Sequence, residues 1–184
     1  MDLNLTEKDQ HALLNKEWLS DKHMSASAKI LKTQFTEVRG FQPTVTGRFV
    51  PAMSNSYQFH HYGNHWCVSW LKDGVVTLCD SLLSVQSQLP EPLCIQLQHL
   101  YGHHTTSVQV LPVQKQRGGV DCGCFAVAFA VSAAFGENPA CYVYEQTKMR
   151  DHLALCFEQG FFVPFPSMLR KTRSSDCVEL TFVN

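Results

Sequence analysis

The chain has 184 residues with a formal net charge of -1 at pH 7, and 45% of its residues are hydrophobic and 17% charged. This composition is typical of a globular protein, and the length suits one domain with a real core, which we expect to span residues 1–184. Because the sequence contains no basic block, it argues against binding to nucleic acid or membranes through bulk charge.

Two helices are predicted at the amino-terminal end. Thr6 can cap a first helix over residues 7–15. A second helix starts at Ser20 or Asp21 and runs to about Gln34, because its apolar residues follow helical spacing. The chain therefore begins with a pair of amphipathic helices.

A β-hairpin is the next clear signal. Residues 41–56 have a mixed pattern with Gly47 among their breaks, and they predict no regular element. Residues 67–71 and 75–78 read as two strands around Lys72-Asp73-Gly74, which is a strong hairpin signal.

The remaining elements alternate between helix and strand. In order they are a helix over 90–101, a strand over 106–113, a buried helix over 122–135, an amphipathic helix over 145–158, and extended segments over 161–166 and 178–183. This mixture predicts an α+β fold with a central mixed sheet flanked by helices.

The eight cysteines and the amino-terminal residues indicate the compartment. Most of the cysteines lie in apolar segments, where a free thiol behaves as a small hydrophobic group, so we predict free thiols. We predict no metal site and no cofactor, since the cysteine spacing does not suit zinc. Residues 1–5 lack the apolar core of a signal peptide and no stretch is long enough to span a bilayer, so we expect an intracellular protein in the nucleus, the cytoplasm or both.

The hairpin places a base and an acid together. If Asp73 and Gly74 form a two-residue turn, Cys67 lies opposite Asp80 and His65 lies diagonal to Asp80 on the same face. Such a diagonal pair is about 7–8 Å apart at the backbone, within reach of the two side chains. Asp80 can then accept from one ring nitrogen and leave the other nitrogen as a base.

A nucleophile and an oxyanion donor are predicted from the polar and glycine residues of the segment 116–123. Cys122 begins the buried helix, where unpaired amides and the helix dipole favour a thiolate. Gln116 stands six positions earlier and can offer its amide to an oxyanion, and Gly123 allows close approach of a substrate backbone.

Each of these residues also has a structural explanation on its own. His65 can be a core histidine, Asp80 can cap a turn, Cys122 can be a packing residue and Gln116 an ordinary loop residue. Their joint order and spacing predict a cysteine nucleophile with its base, orienting acid and oxyanion donor.

The combined motif resembles the Ulp-type cysteine proteases, the SUMO/sentrin-specific and adenain-like group. The matching residues are His65-Trp66, Asp80-Ser81, Gln116 and Asp121-Cys122-Gly123. Residues 17–21 are similar to the entry motif of that family, with serine in place of asparagine, and residues 149–153 look like the late helix of its transposon-associated and invertebrate branch. The similarity runs from about residue 5 to about residue 165, although the segment between the acid and the nucleophile is short for the SUMO-specific enzymes.

The resemblance implies a fold, an activity and a substrate class. The fold is the papain-like type of Ulp and adenain, with catalytic His65, Asp80 and Cys122 and with Gln116 at the oxyanion. The activity is cleavage after the Gly-Gly tail of a ubiquitin-like modifier, SUMO or ubiquitin, by a monomer without nucleic-acid or membrane partners.

Three further residues enter as substrate-binding candidates. Trp18 and Trp66 would form a narrow lid under which only glycines pass, with ordinary core packing as the alternative explanation. Asp21 would position the substrate tail, or merely cap the second helix.

The same residues leave other functions open. A deubiquitinase would share every catalytic residue and differ only in the surface that grips the modifier. A modifier-binding module without catalysis, and an acyl transferase such as the acetyltransferases of some pathogens, are more distant alternatives.

Overall fold

The computed structural model describes residues 2–44, 49–84, 88–171 and 178–182. The helices are α1 (Glu7–Leu14), α2 (Asp21–Gln34), α3 (Glu91–Tyr101), α4 (Cys122–Ala134) and α5 (Met149–Gln159). The strands are β1 (Arg39–Gly40), β2 (Ser56–Tyr62), β3 (His65–Lys72), β4 (Val75–Cys79), β5 (Ser107–Val110), β6 (Tyr142–Tyr144), β7 (Ser167–Leu169) and β8 (Val178–Thr181). The predicted α+β class is confirmed.

A six-stranded mixed sheet lies at the centre, in the order β1-β2-β3-β4-β5-β8. The β1–β2 and β4–β5 pairs are parallel and the other pairs are antiparallel. Strands β6 and β7 form a separate antiparallel pair. The predicted central mixed sheet with flanking helices is therefore present.

Each face of the sheet carries its own apolar cluster, because side chains alternate along a strand. Val68 and Trp70 of β3 join the cluster that contains α4 and parts of α1, α2 and α5. Cys67 and Leu71 of the same strand join the cluster around α3. The sheet is thus covered by helices on both sides, and α4 lies directly against β3.

The predicted helix starts are confirmed by their caps. Thr6 and Asp9 form a capping box at α1. At α2, the ring of His23 accepts a hydrogen bond from the Ser20 amide at 3.0 Å and reaches the Asp9 carbonyl through its other nitrogen at 2.8 Å. These contacts satisfy amides that a helix start otherwise leaves unpaired.

The predicted hairpin is present with its predicted register. Asp73 and Gly74 both have positive φ, 51° and 77°, as the central residues of a type I′ turn require. Lys72 pairs with Val75 as expected from the sequence. This register brings Asp80, the residue after β4, to the end of the sheet where β3 begins.

Strand β2 was not predicted, although the sequence carries its signal. Gly63 and Asn64 form a second tight turn with φ values of 50° and 61°, and Tyr62 pairs with His65. A Gly-Asn pair between β-rich segments is a hairpin signal of the same kind as Asp-Gly. The segment predicted to be irregular ends at Ser56, where β2 begins. Strand β2 pairs with β3 on the side opposite β4.

Two carboxy-terminal predictions differ from the structure in detail. Residues 161–166, predicted as an extended segment, belong to no strand; strand β7 directly follows them and pairs with β6, and neither of these strands was predicted. The helix predicted over 145–158 begins with a 3₁₀ turn, Gln146–Lys148, before α5. Gly47, Cys177 and Val183, which the sequence predictions touched, lie outside the described residues.

Candidate active site

His65 and Asp80, the predicted base and acid, are in contact. His65 Nε2 lies 2.8 Å from Asp80 Oδ1, and both side chains are buried. Since Nε2 is taken by the carboxylate, Nδ1 is left for the thiol of Cys122, which is close enough to His65 to raise its pKa. The first residue of β3 and the first residue after β4 thus bridge to the start of α4.

Asp80 is fixed by more partners than the hairpin predicts. Its Oδ1 also accepts from the backbone amides of Leu82 at 2.7 Å and Leu83 at 2.9 Å. Its Oδ2 accepts from the Tyr62 hydroxyl at 2.5 Å, and the Tyr62 ring stands edge-on to the imidazole of His65. Burial opposes ionisation of Asp80, but hydrogen bonds and the charge of His65 outweigh burial, so the pKa of Asp80 is lowered.

The thiol of Cys122 has a lowered pKa although the residue is only 2% exposed. Burial alone would raise it, but hydrogen bonds from His65, from the Trp66 amide and from the Gly123 amide favour the thiolate. Cys124 shows the contrast on the same helix, because burial raises its pKa to about 12. Of these two cysteines, Cys122 is the one with a nucleophile's environment.

His65 is the matching partner of that thiolate. Burial disfavours its charged form, but hydrogen bonds and the charges of Asp80 and Cys122 raise its pKa to about 9. A lowered thiol pKa together with a raised imidazole pKa stabilises a thiolate–imidazolium pair around neutral pH.

Gln116 is oriented by contacts on both ends of its amide. Its Oε1 accepts from the Ser81 hydroxyl at 2.6 Å, and its Nε2 donates to the Gly118 carbonyl at 2.8 Å. One N–H of the amide is thereby used, and the second remains for an oxyanion. The amide of Cys122 is the natural second donor, because the first amides of a helix have no intrahelical acceptor.

Gly123 has a different use from the one that the sequence suggested. An added Cβ would stand 2.8 Å from Leu19 Cβ and 3.0 Å from its Cγ and Cδ1. Leu19 therefore occupies the space that was expected to admit a substrate backbone. The glycine lets α4 pack against the segment before α2.

Gly123→Ala is expected to destabilise the protein by about 1–3 kcal/mol, because the new methyl group overpacks a fixed neighbour. Urea unfolding measures this change. Gly119→Ala is the matched control: a Cβ there would meet no described atom within 4 Å, so its stability should stay close to that of the wild type. Equal stability of the two variants would show that Leu19 moves aside without cost.

The two lid candidates differ in exposure. Trp18 is 54% exposed, and its indole donates to the Gly119 carbonyl at 2.8 Å, in the loop that precedes Cys122. Trp66 is 4% exposed, and its indole donates to the Leu19 carbonyl at 2.8 Å. Core packing explains the buried Trp66 but not the exposed Trp18. Trp18 therefore stays a candidate for covering the substrate tail.

Asp21 lies in the first turn of α2, next to the cap residue Ser20. Its carboxylate accepts a hydrogen bond from the Thr44 hydroxyl. The capping position belongs to Ser20, so the capping alternative for Asp21 is wrong, while a contact with a substrate tail stays a prediction.

The sequence reading missed Tyr62, which contacts both the acid and the base. The signal was the Gly63-Asn64 turn, which would have paired Tyr62 with His65 on the neighbouring strand. Burial and the charge of Asp80 raise the pKa of Cys67 well above its ordinary value, so its thiol stays neutral next to the site.

Other site chemistry is limited in the part of the chain that the structure describes. The seven cysteines outside residues 172–177 are free thiols. Within the described ranges, no group of three or more histidine, cysteine or acidic side chains is placed to hold a metal ion. Nor does any helix in those ranges have the length and apolar character needed to cross a bilayer.

Solved structures share this architecture. SUMO protease Ulp1 with its catalytic cysteine oxidised to a sulfonic acid matches with a TM-score of 0.66 and 16% identity, over 86% of this chain and 86% of that chain. The chain has the fold of the Ulp1 protease domain. The Ulp1 domain in complex with Smt3, the yeast ortholog of SUMO, matches with a TM-score of 0.61 and 14% identity, over 85% of this chain and 83% of that chain.

A de-sumoylating protease shares the Ulp1 fold at a TM-score of 0.53 and 13% identity, over 85% of this chain and 86% of that chain. At the sequence level, neither a protein family nor a curated protein matches the chain. The resemblance to Ulp-type proteases that the motifs predicted is therefore confirmed through the fold.

Proposed function

We propose that this chain is a cysteine protease that cleaves after the C-terminal glycines of a SUMO-like modifier. The observation that carries the proposal is the arrangement of Cys122, His65 and Asp80. The thiol stands at a helix start, its pKa is lowered by the neighbouring imidazole of His65, and Nε2 of that imidazole is 2.8 Å from a buried carboxylate. A structural role for these groups would not require a stabilised thiolate.

The first half of the reaction forms a thioester. The thiolate of Cys122 attacks the carbonyl carbon of the terminal glycine, and the carbonyl oxygen becomes an oxyanion. The free N–H of Gln116 and the amide of Cys122 stabilise that oxyanion. His65 then gives its proton to the leaving amine as the C–N bond breaks.

The second half releases the modifier. Neutral His65 takes a proton from water, and the resulting hydroxide attacks the thioester carbonyl. The C–S bond breaks, the thiolate returns, and the modifier leaves with a free carboxylate. Asp80 keeps the ring oriented through both halves and stabilises the imidazolium whenever it forms.

Selection for glycine follows from the position of Trp18. Its exposed indole is tied to Gly119, so it stands beside the loop that leads to the nucleophile. A chain that passes between this ring and the loop has room for backbone but little for side chains.

SUMO is favoured among the modifiers because a protein of the same fold is seen in complex with Smt3. We further propose that the chain works as a single-domain monomer in the nucleus or the cytoplasm.

Activity-based probes test the proposal. SUMO and ubiquitin with a C-terminal propargyl group are each incubated with the protein, and intact mass measures the adduct. The SUMO probe is expected to label Cys122 at least about tenfold faster than the ubiquitin probe, a difference of 1.4 kcal/mol in barrier. The Cys122→Ala protein serves as the unlabelled control.

The other outcomes separate the alternatives. Labelling by the ubiquitin probe alone identifies a deubiquitinase on the same scaffold. Absence of labelling by either probe together with measurable modifier binding identifies a binding module, and consumption of acetyl-CoA identifies a transferase. Each of these results contradicts the proposed SUMO-directed cleavage.

A further inference from the structure

A carboxylate stands directly beside the proposed nucleophile. Asp121 precedes Cys122 at the start of α4, and its side chain is 16% exposed. A negative charge here suits the positive end of the helix dipole. It also opposes the negative charge that Cys122 must carry, because like charges disfavour each other's ionised forms. The site therefore needs a means of compensating Asp121.

Arg150 supplies that compensation. It lies in the first turn of α5 and is 6% exposed. Its Nε lies 2.7 Å from Asp121 Oδ1, its Nη2 donates to the Val120 carbonyl at 2.7 Å, and its Nη1 donates to the Leu13 carbonyl at 2.9 Å. A guanidinium cannot lose its charge in this setting, so Asp121 faces a permanent cation.

The other carboxylate oxygen of Asp121 accepts a hydrogen bond from the segment that precedes α5. Gln146, in the turn before α5, donates to Asp121 Oδ2 at 2.6 Å and to the Arg117 carbonyl at 2.8 Å. The Arg117 amide donates back to Gln146 Oε1 at 2.9 Å. The loop that carries the nucleophile is thus clamped at both ends from one neighbouring segment.

The two charges act on the first turn of α4 with opposite signs. Burial is the largest influence on Cys124 and raises its pKa, while Arg150 lowers that pKa and Asp121 raises it. Cys124 belongs to the same first turn of α4 as Cys122, and Asp121 is the residue directly before Cys122.

We propose that Arg150 is a positioning residue that keeps Cys122 reactive by neutralising Asp121. The proposal rests on Cys122 being the nucleophile of the proposed protease. It adds a cation from α5 to the titratable groups that already influence the thiol. Those groups are His65 and Cys67 of β3, Tyr62 of β2 and Cys124 of α4, and Asp80 acts through its contact with His65.

The test is the pH dependence of Cys122 alkylation by iodoacetamide, read by mass spectrometry of the Cys122 peptide. Arg150→Gln is expected to move the midpoint up by about half to one pH unit, because Asp121 is left uncompensated. Asp121→Asn is expected to move it down by a similar amount, because the arginine then stands alone. The double variant should return close to the wild-type midpoint.

A structural role alone would not give shifts of opposite sign that cancel. Lys148→Gln is the matched control, since it removes a cation at the start of the same helix from an exposed pair with Glu145, and its midpoint should not move. Shifts in one direction for both single variants, or a double variant as displaced as Arg150→Gln, would overturn the proposal.

Unfolding midpoints accompany each titration. If Arg150→Gln does not fold, Asp121→Asn alone decides, and an unchanged or raised midpoint in that variant overturns the proposal. Alkylation requires no modifier, so a failure of SUMO cleavage would leave this result standing on its own.

Discussion

Cys122→Ala is expected to lower kcat/KM for a SUMO-tail substrate by about 10⁵-fold or more, because removing the nucleophile of a catalytic triad has effects of this size. In the proposed mechanism the thiol forms the thioester, and no described neighbour can replace it. Cys124 points into the core with a pKa raised to about 12, and Cys67 is held as a neutral thiol under Asp80. Cleavage of a fluorogenic SUMO substrate measures the loss.

Binding should survive the same substitution. The Cys122 side chain is small and buried, so the surface that meets the modifier stays intact, and calorimetry should give a Kd within a few-fold of the wild type. Cys124→Ala is the matched control, since it removes a thiol from the same helix turn and should retain turnover. Wild-type-like cleavage by Cys122→Ala would remove Cys122 from the mechanism.

The hairpin shows what a sequence can predict about a site. Asp73 and Gly74, both with positive φ, form the turn that sets the pairing register of β3 and β4. That register determines which side chains share a face, and it places His65 and Asp80 together. Helix caps work the same way at α1 and α2, because local hydrogen bonds decide where a helix begins. These predictions were right because each depended on residues close together in the chain.

The groups that the sequence did not reveal depend on distant packing. Arg150 reaches Asp121 and Leu13 only after α5 has packed beside α1 and α4. Gly123 has no room for a side chain because Leu19 packs against it, and no sequence spacing predicts that contact. Tyr62 was predictable in part. The Gly63-Asn64 turn signals its strand, but the acceptor of its hydroxyl, Asp80, lies two strands away in the sheet. Tertiary contacts of this kind come from the assembled fold.

Substitution of Asp80, the proposed orienting acid, is expected to have the second large effect on turnover. Asp80→Asn is expected to lower kcat by about 10–10²-fold, because a neutral amide can still accept from His65 but cannot stabilise the charge of the imidazolium. Leu82 and Leu83 donate to the same oxygen as His65, so an asparagine oxygen would stay with those amides and turn its NH₂ toward Tyr62. The loss should therefore appear without a large change in KM.

The pH profile distinguishes this role from a structural one. In the wild type the thiolate–imidazolium pair persists from the lowered pKa of Cys122 up to the pKa of His65, about 9. Without the carboxylate the imidazolium loses a partner, so its pKa falls, and the thiolate loses support from His65, so the pKa of Cys122 rises. The active window of Asp80→Asn should narrow from both sides in a plot of kcat/KM against pH. Asp73→Asn, at the exposed turn of the same hairpin where asparagine accepts positive φ, is the control and should keep the wild-type window. A window of unchanged width in Asp80→Asn would mean that Asp80 holds the loop at Leu82 and Leu83 and does not tune the pair.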